Sequence, residues 1–414
     1  MMGKPKIRFK GYNEDWEQRK LGEIATETYG GGTPKTSNEE FWKGDIPWIQ
    51  SSDLIDECLF DVRPRKCISQ EAVSKSATKL VPQNSIAIVT RVGVGKLAFM
   101  PFSYATSQDF LSLSGLKIDP EFTVYALYKM MQSVSNEVQG TSIKGVTKDE
   151  LLAKKITFPS CNEQKKIGAY LHSLDNLITL HQHKCDEMKR LKKYMLQKMF
   201  PQNGKKVPEI RFDGFTNGWE QRKLGETKTF FTDGNYGEAY PKSSDMVDSS
   251  IGVPFLTGGN LKDGKLDISG ASYISKEKHE LLTSGHLICD DIVIAVRGSL
   301  GALGYVNSDN SGWNINSQLA ILRTDKEELN GKFLLQFLLS ENGQKEFLRR
   351  QTGTALKQLP IGAIKDVDIP ITSIDEQVKI GEYFATLDHL ITLHQHKCDE
   401  LQNLKKYMLQ NMFV

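Results

Sequence analysis

Long hydrophobic runs are missing from this sequence, and no apolar stretch approaches the ~18 residues that a membrane-spanning helix needs. Lys4 and Lys6 are not followed by an apolar segment, so no secretory signal is predicted. The six cysteines are scattered along 414 residues and do not form a disulfide framework. Together these absences predict a cytoplasmic protein that makes no contact with a membrane.

Catalytic motifs are also missing. The sequence has no GxSxG elbow, no HExxH zinc motif, and nothing like the Asn/Asp-Pro-Pro-aromatic motif of amino-methyltransferases. Residues 92–96 imitate a phosphate loop, but Thr90 stands where the first glycine belongs and Leu97 replaces the hydroxyl residue. A plain turn between two strands is therefore predicted there. A two-site enzyme would need a catalytic group that the sequence does not show.

Overall charge gives little sign of nucleic-acid binding. The formal net charge is +2. Residues 23–150 hold 13 Lys and Arg against 16 Asp and Glu, and residues 226–360 hold 14 against 17. If these regions bind DNA, their cations must be gathered on one face.

A duplicated helical segment is the most distinctive feature of the chain. Leu177 to Phe200 reads LITLHQHKCDEMKRLKKYMLQKMF, and Leu390 to Phe413 repeats it with four differences. Apolar positions recur every three or four residues, which predicts two long helices of roughly 58 Å that pack on each other. The predicted helix-pairing seam comprises Ile167, Leu171, Leu174, Ile178, Met188, Ile380, Phe384, Leu387, Ile391 and Leu401.

The duplication extends to whole halves of the chain. The segment WEQRKLGE at Trp16 returns at Trp219, whereas the sequence between this segment and the helix diverges. The predicted fold class is α+β, with two mixed α/β domains that alternate with two long helices. The helices are expected to pair as an antiparallel coiled coil in a pseudo-twofold internal repeat. The predicted segments are residues 1–160, 161–203 (first helix and linker), 204–373 and 374–414 (second helix).

The long helices contain residues of the types that bind metal ions, but no metal site is predicted. His181 and Cys185 lie one helical turn apart, and His394 and Cys398 repeat them, so two such pairs could hold zinc. These positions lie on the apolar seam, however, where a cysteine behaves as a small hydrophobic residue.

Loop residues at strand ends are the candidate nucleic-acid contacts, and the alternative for any single one is a solvated surface charge. Arg91 matches Arg297, and Lys144 matches Lys357, in loops of the two divergent domains. Lysine, threonine, serine and backbone amides in such loops typically bind phosphate, and arginine, asparagine and glutamine can bind base edges. The candidates are Lys35, Arg91, Lys96, Gln108, Thr141, Ser142, Lys144, Asn260, Arg297, Gln318, Thr354 and Lys357.

This organisation resembles the specificity subunit of a type I restriction-modification system. The resemblance covers essentially the whole chain. It rests on the two WEQRKLGE segments, on the helix starts Glu163-Gln164 and Glu376-Gln377, and on the two LITLHQHK cores.

The resemblance implies that each mixed domain is a target recognition domain that reads one half of a split double-stranded DNA target. The paired helices would set the spacer between the halves and dock two modification subunits, and two restriction subunits would complete the complex. S-adenosylmethionine, ATP and Mg would be bound by those partners, so this chain would bind no cofactor and catalyse nothing. Because the loops of the two domains diverge, an asymmetric target is expected.

One alternative function belongs to a different class. The chain could be a structural coiled-coil adaptor that joins two copies of a protein partner. Steep salt dependence of DNA binding would favour the recognition subunit, because neutralising phosphates releases counterions.

Overall fold

A computed structural model describes residues 4–139, 145–202, 204–354 and 357–414. These residues form two compact units. The first unit runs to Gln182 and resumes at His396, and the second spans His183–Gln395. Each unit therefore contains one mixed α/β domain together with parts of both long helices. The boundaries of the two units differ from those of the predicted segments 1–160, 161–203, 204–373 and 374–414, because the predicted segments follow secondary structure.

Both halves of the chain mix strands and helices and end in a helix of 38 residues, which confirms the predicted fold class. The elements of the first half are β1 (Glu17–Lys20), β2 (Ala25–Gly30), β3 (Ile46–Ile49), β4 (Lys66–Ile68), α1 (Gln70–Lys75), β5 (Ser85–Val89), β6 (Leu97–Met100), β7 (Ala105–Thr106), β8 (Phe110–Leu116), α2 (Pro120–Gln139), α3 (Lys148–Ala153), β9 (Lys155–Phe158) and α4 (Cys161–Lys198).

The second half repeats this order with additional short strands. Its elements are β10 (Glu220–Lys223), β11 (Phe230–Asp233), β12 (Val253–Leu256), β13 (Leu261–Lys262), β14 (Lys265–Leu266), β15 (Ser272–Ile274), α5 (Lys276–Leu281), β16 (Ile292–Ala295), β17 (Leu303–Tyr305), β18 (Asn314–Ile315), β19 (Leu319–Arg323), α6 (Gly331–Leu339), α7 (Glu341–Arg349), α8 (Ile361–Lys365), β20 (Asp368–Ile371) and α9 (Ile374–Asn411).

A four-stranded antiparallel sheet in the order β2-β8-β5-β6 forms the centre of the first unit. A three-stranded sheet in the order β4-β3-β7 accompanies it, and β1 pairs with β9. Alternate side chains of a strand point to opposite faces, so Ile86 and Ile88 of β5 enter one hydrophobic core while Ala87 and Val89 enter another. Residues 92–96 form the predicted turn, because β5 and β6 are antiparallel neighbours.

The second unit has the same sheet topology. Its four-stranded sheet has the order β11-β19-β16-β17, its three-stranded sheet has the order β15-β12-β18, and β10 pairs with β20. Strand β16 repeats the two-sided burial of β5, with Ile292 and Ile294 in one core and Val293 and Ala295 in another. A short β13-β14 ribbon has no equivalent pair in the first unit's described residues.

A region that the sequence predicts to be a single helix forms two helices. The apolar spacing predicts a single helix near residues 331–350, but the helix breaks at Ser340, between α6 and α7. The backbone of Ser340 is extended, and its Oγ accepts a hydrogen bond from the Gly343 N–H at 3.3 Å, which caps α7. A Cβ at Gly343 would lie 2.3 Å from the Phe337 carbonyl oxygen, so the close approach at this break requires glycine.

In the first unit, the N-terminal part of α4 runs antiparallel to the C-terminal part of α9. Lys405 Nζ lies 2.5 Å from Asp175 Oδ1, and Cys398 Sγ lies 3.6 Å from Gln182 Oε1. Residue numbers therefore increase along α4 as they decrease along the neighbouring part of α9. The seam residues of this unit share its main core with the globular domain. Ile167, Leu171, Leu174 and Leu401 are buried there, and Ile178 is half-buried.

In the second unit, the remaining parts of the two helices pair in the same way. Lys192 Nζ lies 2.7 Å from Asp388 Oδ1, and Cys185 Sγ lies 3.7 Å from Gln395 Oε1. Ile380, Phe384 and Leu387 are buried in the domain core, and Met188 packs against it. Ile391 is half-buried. Within the described residues, no helix is long and apolar enough to cross a membrane.

Candidate nucleic-acid interface

One edge of the four-stranded sheet in the first unit gathers several of the loops that carry predicted contacts. Because the strands are antiparallel, the ends of β2 and β5 and the start of β8 meet at this edge. The Ser107 N–H donates to the Ile49 carbonyl at 2.9 Å, which adds the end of β3. The Val146 N–H donates to the Thr90 carbonyl at 2.8 Å, so the chain before α3 also returns here, beside the exposed Arg91.

The predicted contacts of the first unit differ in how accessible they are. Lys35, Arg91 and Gln108 are exposed. Lys96 is partly buried; its Nζ donates to the Leu54 carbonyl at 3.1 Å and lies 3.6 Å from Asp56 Oδ1, so its ammonium supports the β5–β6 turn. Three further candidates lie outside the described residues: Thr141, Ser142 and Lys144.

The glycine-rich loop after β2 owes its glycines to packing. A Cβ at Gly31 would lie 1.8 Å from the Ser107 carbonyl oxygen. The Gly32 carbonyl accepts hydrogen bonds from Trp48 Nε1 at 3.1 Å and from Thr78 Oγ1 at 2.9 Å. This loop is therefore fixed against its own domain at the edge where Arg91 lies.

The second unit builds the same edge from different side chains. The Val296 N–H donates to the Gln318 carbonyl at 2.8 Å, and the Leu359 N–H donates to the Val296 carbonyl at 3.0 Å. The Asn316 N–H donates to the carbonyl of Leu256 at the end of β12. Four of the predicted contacts are exposed on this unit: Arg297, Gln318, Thr354 and Lys357.

Arg297 is the most firmly held cation of this edge. Its Nε donates to Gln358 Oε1 at 3.4 Å, and its guanidinium carbon lies 5.6 Å from the centroid of the Tyr236 ring. The Tyr236 hydroxyl lies 2.9 Å from Asp233 Oδ2 and 3.1 Å from the Ser317 carbonyl. Partial burial and the hydrogen bond to Asp233 raise the pKa of Tyr236, which keeps its hydroxyl protonated as a donor.

Sequence reasoning missed Tyr236 and Gln358. The available signal for Tyr236 was an aromatic residue between Asn235 and Gly237, in a turn directly after a strand. Gln358 carries no such signal, because its place beside Arg297 follows from the bridge that the two residues form across 61 positions of sequence.

The structure corrects the prediction that Asn260 contacts DNA. Its side chain is 3% exposed, and its Oδ1 accepts hydrogen bonds from the N–H of Thr257 at 2.9 Å and from the hydroxyl at 3.0 Å. Its Nδ2 donates to the Asp267 carbonyl at 2.8 Å. The amide holds the loop before β13 in place, so it is not available to a base edge.

In the long helices, the cysteines of the histidine–cysteine pattern are buried by packing. Cys185 and Cys398 are each 1% exposed. Within the described ranges, no group of three or more His, Cys, Asp or Glu side chains is arranged to hold a metal ion.

Comparison with known families agrees with this architecture. The profile described as Type I restriction modification DNA specificity domain matches the chain twice, over residues 13–190 and 216–403. The chain belongs to this family. It is a type I restriction-modification specificity subunit, a non-catalytic DNA-recognition subunit, as the resemblance implied.

Individual relatives carry the same description. The chain is 24% identical over 415 residues to the putative type I restriction enzyme MjaX specificity subunit of Methanocaldococcus jannaschii, which covers 96% of this chain and 92% of that one. It is 27% identical over 237 residues to the MjaIX specificity subunit of the same organism, and that match spans about half, 51%, of either protein. It is 34% identical over 182 residues to the EcoR124I/EcoR124II specificity subunit of Escherichia coli, covering 41% of this chain and 43% of the relative.

Solved structures share the fold. The S subunit of a type I restriction-modification system from M. genitalium matches with a TM-score of 0.67 and 16% identity, over 100% of this chain and 99% of that one. A chain from a structural study of complex assembly and conformational transition of the type I R-M system matches with a TM-score of 0.52 and 19% identity, over 96% and 97% of the two chains.

Proposed function

We propose that this specificity subunit reads a split, asymmetric double-stranded DNA target, one half with each unit. The observation that carries the proposal is the repeated sheet edge, where the same backbone hydrogen bonds present different side chains. An exposed arginine recurs as Arg91 and Arg297, but the exposed Gln318 of the second unit stands where the first unit has Asp109. Different donors and acceptors on the same framework select different bases, so the two half-sites should differ.

Phosphate contacts would position each unit on the duplex. Exposed cations and hydroxyls in the loops near these edges suit that role, because they bind phosphate without regard to sequence. We assign it to Lys35 in the first unit and to Thr354 and Lys357 in the second, and we extend it to Thr141, Ser142 and Lys144.

The helices carry a repeated apolar surface that suits a protein partner. In the first unit, Leu177, Leu180, Leu404 and Tyr407 are between 37% and 53% exposed. Each precedes a buried or half-buried residue (Ile178, His181, Lys405 or Met408) by one position, which turns it about 100° from the packed face of its helix. In an antiparallel helix pair, residues turned in this way on the two helices lie on the same side of the pair. An exposed apolar face of this kind marks an interaction site.

The second unit exposes the corresponding residues. Leu191, Tyr194 and Leu393 are 37%, 49% and 53% exposed, and each lies 213 positions from its counterpart in the first unit. Two equal surfaces suit two copies of one partner. We assign them to two modification subunits and name them the helix patches.

The remaining parts of the proposed complex follow from its chemistry. Modification would use S-adenosylmethionine, and restriction by two further subunits would use ATP and Mg, all bound by partners. The paired helices would set the spacer between the two half-sites. A DNA substrate implies a cytoplasmic complex.

A salt-dependent gel shift tests this function against the adaptor alternative. The complex of this chain with its modification subunit should bind its target duplex with an affinity that falls steeply between about 50 and 200 mM salt. Arg91→Ala should weaken binding through one half-site only, and Arg297→Ala through the other. A complex that assembles fully but binds DNA with no salt slope would favour the adaptor, and equal losses at both half-sites would make these arginines structural.

A further inference from the structure

Neighbouring residues contact both the backbone and the guanidinium of Arg297. Its backbone N–H donates to the Gln318 carbonyl at 3.3 Å, and its backbone forms an isolated bridge with Gln358. Its side chain adds the hydrogen bond to Gln358 Oε1 and the contact with the Tyr236 ring. Within the described residues, no hydrogen bond from its two terminal nitrogens is formed. These two side-chain contacts orient the guanidinium and leave its terminal donors available.

The platform beneath this arginine is itself anchored. Asn235, 6% exposed, donates from Nδ2 to the Ser284 carbonyl at 2.7 Å, which fixes the turn that carries Tyr236. The Tyr236 hydroxyl is tethered to Asp233 and lies near the Ser317 carbonyl. An aromatic ring held in this way orients a guanidinium by cation–π attraction at little entropic cost.

Among the described residues of the first unit, neither support is present. Gly30 and Asp233 occupy the same register position in their sheets, so Thr33, three residues further on, is the counterpart of Tyr236. Gly145 is the counterpart of Gln358, because the residues that follow them make the same backbone hydrogen bond to the residue before the arginine. The exposed Arg91 is thus neither stacked on a ring nor bonded to a glutamine at these positions.

From this contrast we infer that Arg297 reads one guanine of the second half-site, with Tyr236 and Gln358 as its positioning residues. This inference rests on the proposed DNA recognition. Arginine with a planar, pre-oriented fork binds guanine O6 and N7 bidentately, which is the commonest specific contact in the major groove. The carboxylate of Asp233 beside the ring repels a phosphate, whereas a neutral base edge tolerates it.

The test uses the full chain in complex with its modification subunit and a panel of target duplexes, each substituted at one position of the second half-site. The wild-type complex should prefer guanine at one of these positions by about 5- to 150-fold. Arg297→Ala and Arg297→Lys should abolish this preference and leave the preferences at other positions. The matched control Arg91→Ala should leave it unchanged.

Two further variants separate positioning from folding. Tyr236→Phe removes the tether of the ring, and Gln358→Ala removes the bond to Nε, so each should reduce the guanine preference while the thermal unfolding of the complex stays unchanged. A uniform loss across all duplexes for Arg297→Ala, with a salt slope shallower by about one, would overturn the inference in favour of a phosphate contact. A wild-type complex that binds every duplex equally would instead refute the proposed function itself.

Discussion

Arg211 and Glu376 form a two-point ion pair, with Nε 2.6 Å from Oε1 and Nη2 2.8 Å from Oε2, and the glutamate is fully buried. The first unit repeats the pair with Arg8 and the buried Glu163, at 2.7 and 2.8 Å. Each pair ties the segment that begins a half to the first turn of its long helix. Both glutamates belong to the Glu-Gln helix starts that carried the family resemblance, and their role is structural.

Removing the arginine of this pair should destabilise its unit. Arg211→Ala leaves a buried carboxylate without its partner, which costs about 3–5 kcal/mol. Urea unfolding of the full chain should show an early transition in the variant. Lys345→Ala removes an exposed pair with Glu341 and serves as the control, because both of its side chains are about 60% exposed. Equal effects of the two changes would mean that the buried pair contributes no more than a surface one.

A charge in one helix patch should remove one modification subunit. Leu180→Glu places a carboxylate in the patch of the first unit, where Leu180 is 47% exposed. The chain should fold normally and bind one modification subunit instead of two, as counted by native mass spectrometry. Leu393→Glu should give the same count through the second unit. Thr179→Glu, on the opposite side of α4, should retain both copies, and loss of a copy in that variant would place the docking surface elsewhere.

Asn260 and Gln318 should separate stability from base preference. Asn260→Ala leaves buried hydrogen-bonding groups unsatisfied and should cost about 1–3 kcal/mol of unfolding free energy without changing the methylated sequence. Gln318→Ala alters an exposed side chain, so stability should change by less than about 0.5 kcal/mol while base preference changes. Thermal unfolding and sequencing of methylated sites measure the two effects. A changed motif in the Asn260 variant would return that residue to the interface.

The two neighbouring glycines at the end of β2 should tolerate substitution differently. A Cβ at Gly31 would clash with the Ser107 carbonyl, so Gly31→Ala should cost about 1–3 kcal/mol. A Cβ at Gly30 meets nothing within 4 Å, so Gly30→Ala should be nearly neutral. Denaturant midpoints of the two variants compare them directly. Similar midpoints would show that the loop moves freely and is not held by packing.

Local patterns predicted the elements of this fold well. The three-four apolar spacing gave both long helices. Short branched runs bounded by turn residues predict strands at residues 46–50, 85–91 and 253–256, where the structure has β3, β5 and β12. The helix break at Ser340 was missed because apolar spacing continues across it. The serine and Gly343 could have indicated a cap, but the contact with Phe337 that fixes the break comes from folding.

The composition of the interface could be predicted only in part. Arg91, Arg297 and Gln318 are exposed, as expected of polar loop residues at strand ends, and their contact with DNA stays a prediction. Asn260 looked similar in sequence, yet its amide is used inside its own loop. Tyr236 reaches Arg297 because β11 and β16 both pair with β19, through residues 87–93 and 24–30 positions apart, and a single sequence does not record such pairings.

Mapping the methylated bases of the host genome tests the central claim most directly. This chain would be co-expressed with its modification subunit, and the host genome would be read by long-read sequencing. The account predicts a bipartite, asymmetric motif that disappears when this chain is omitted. A palindromic motif would contradict the assignment of different half-sites to the two units. The absence of methylation from a fully assembled complex would contradict DNA recognition by this chain.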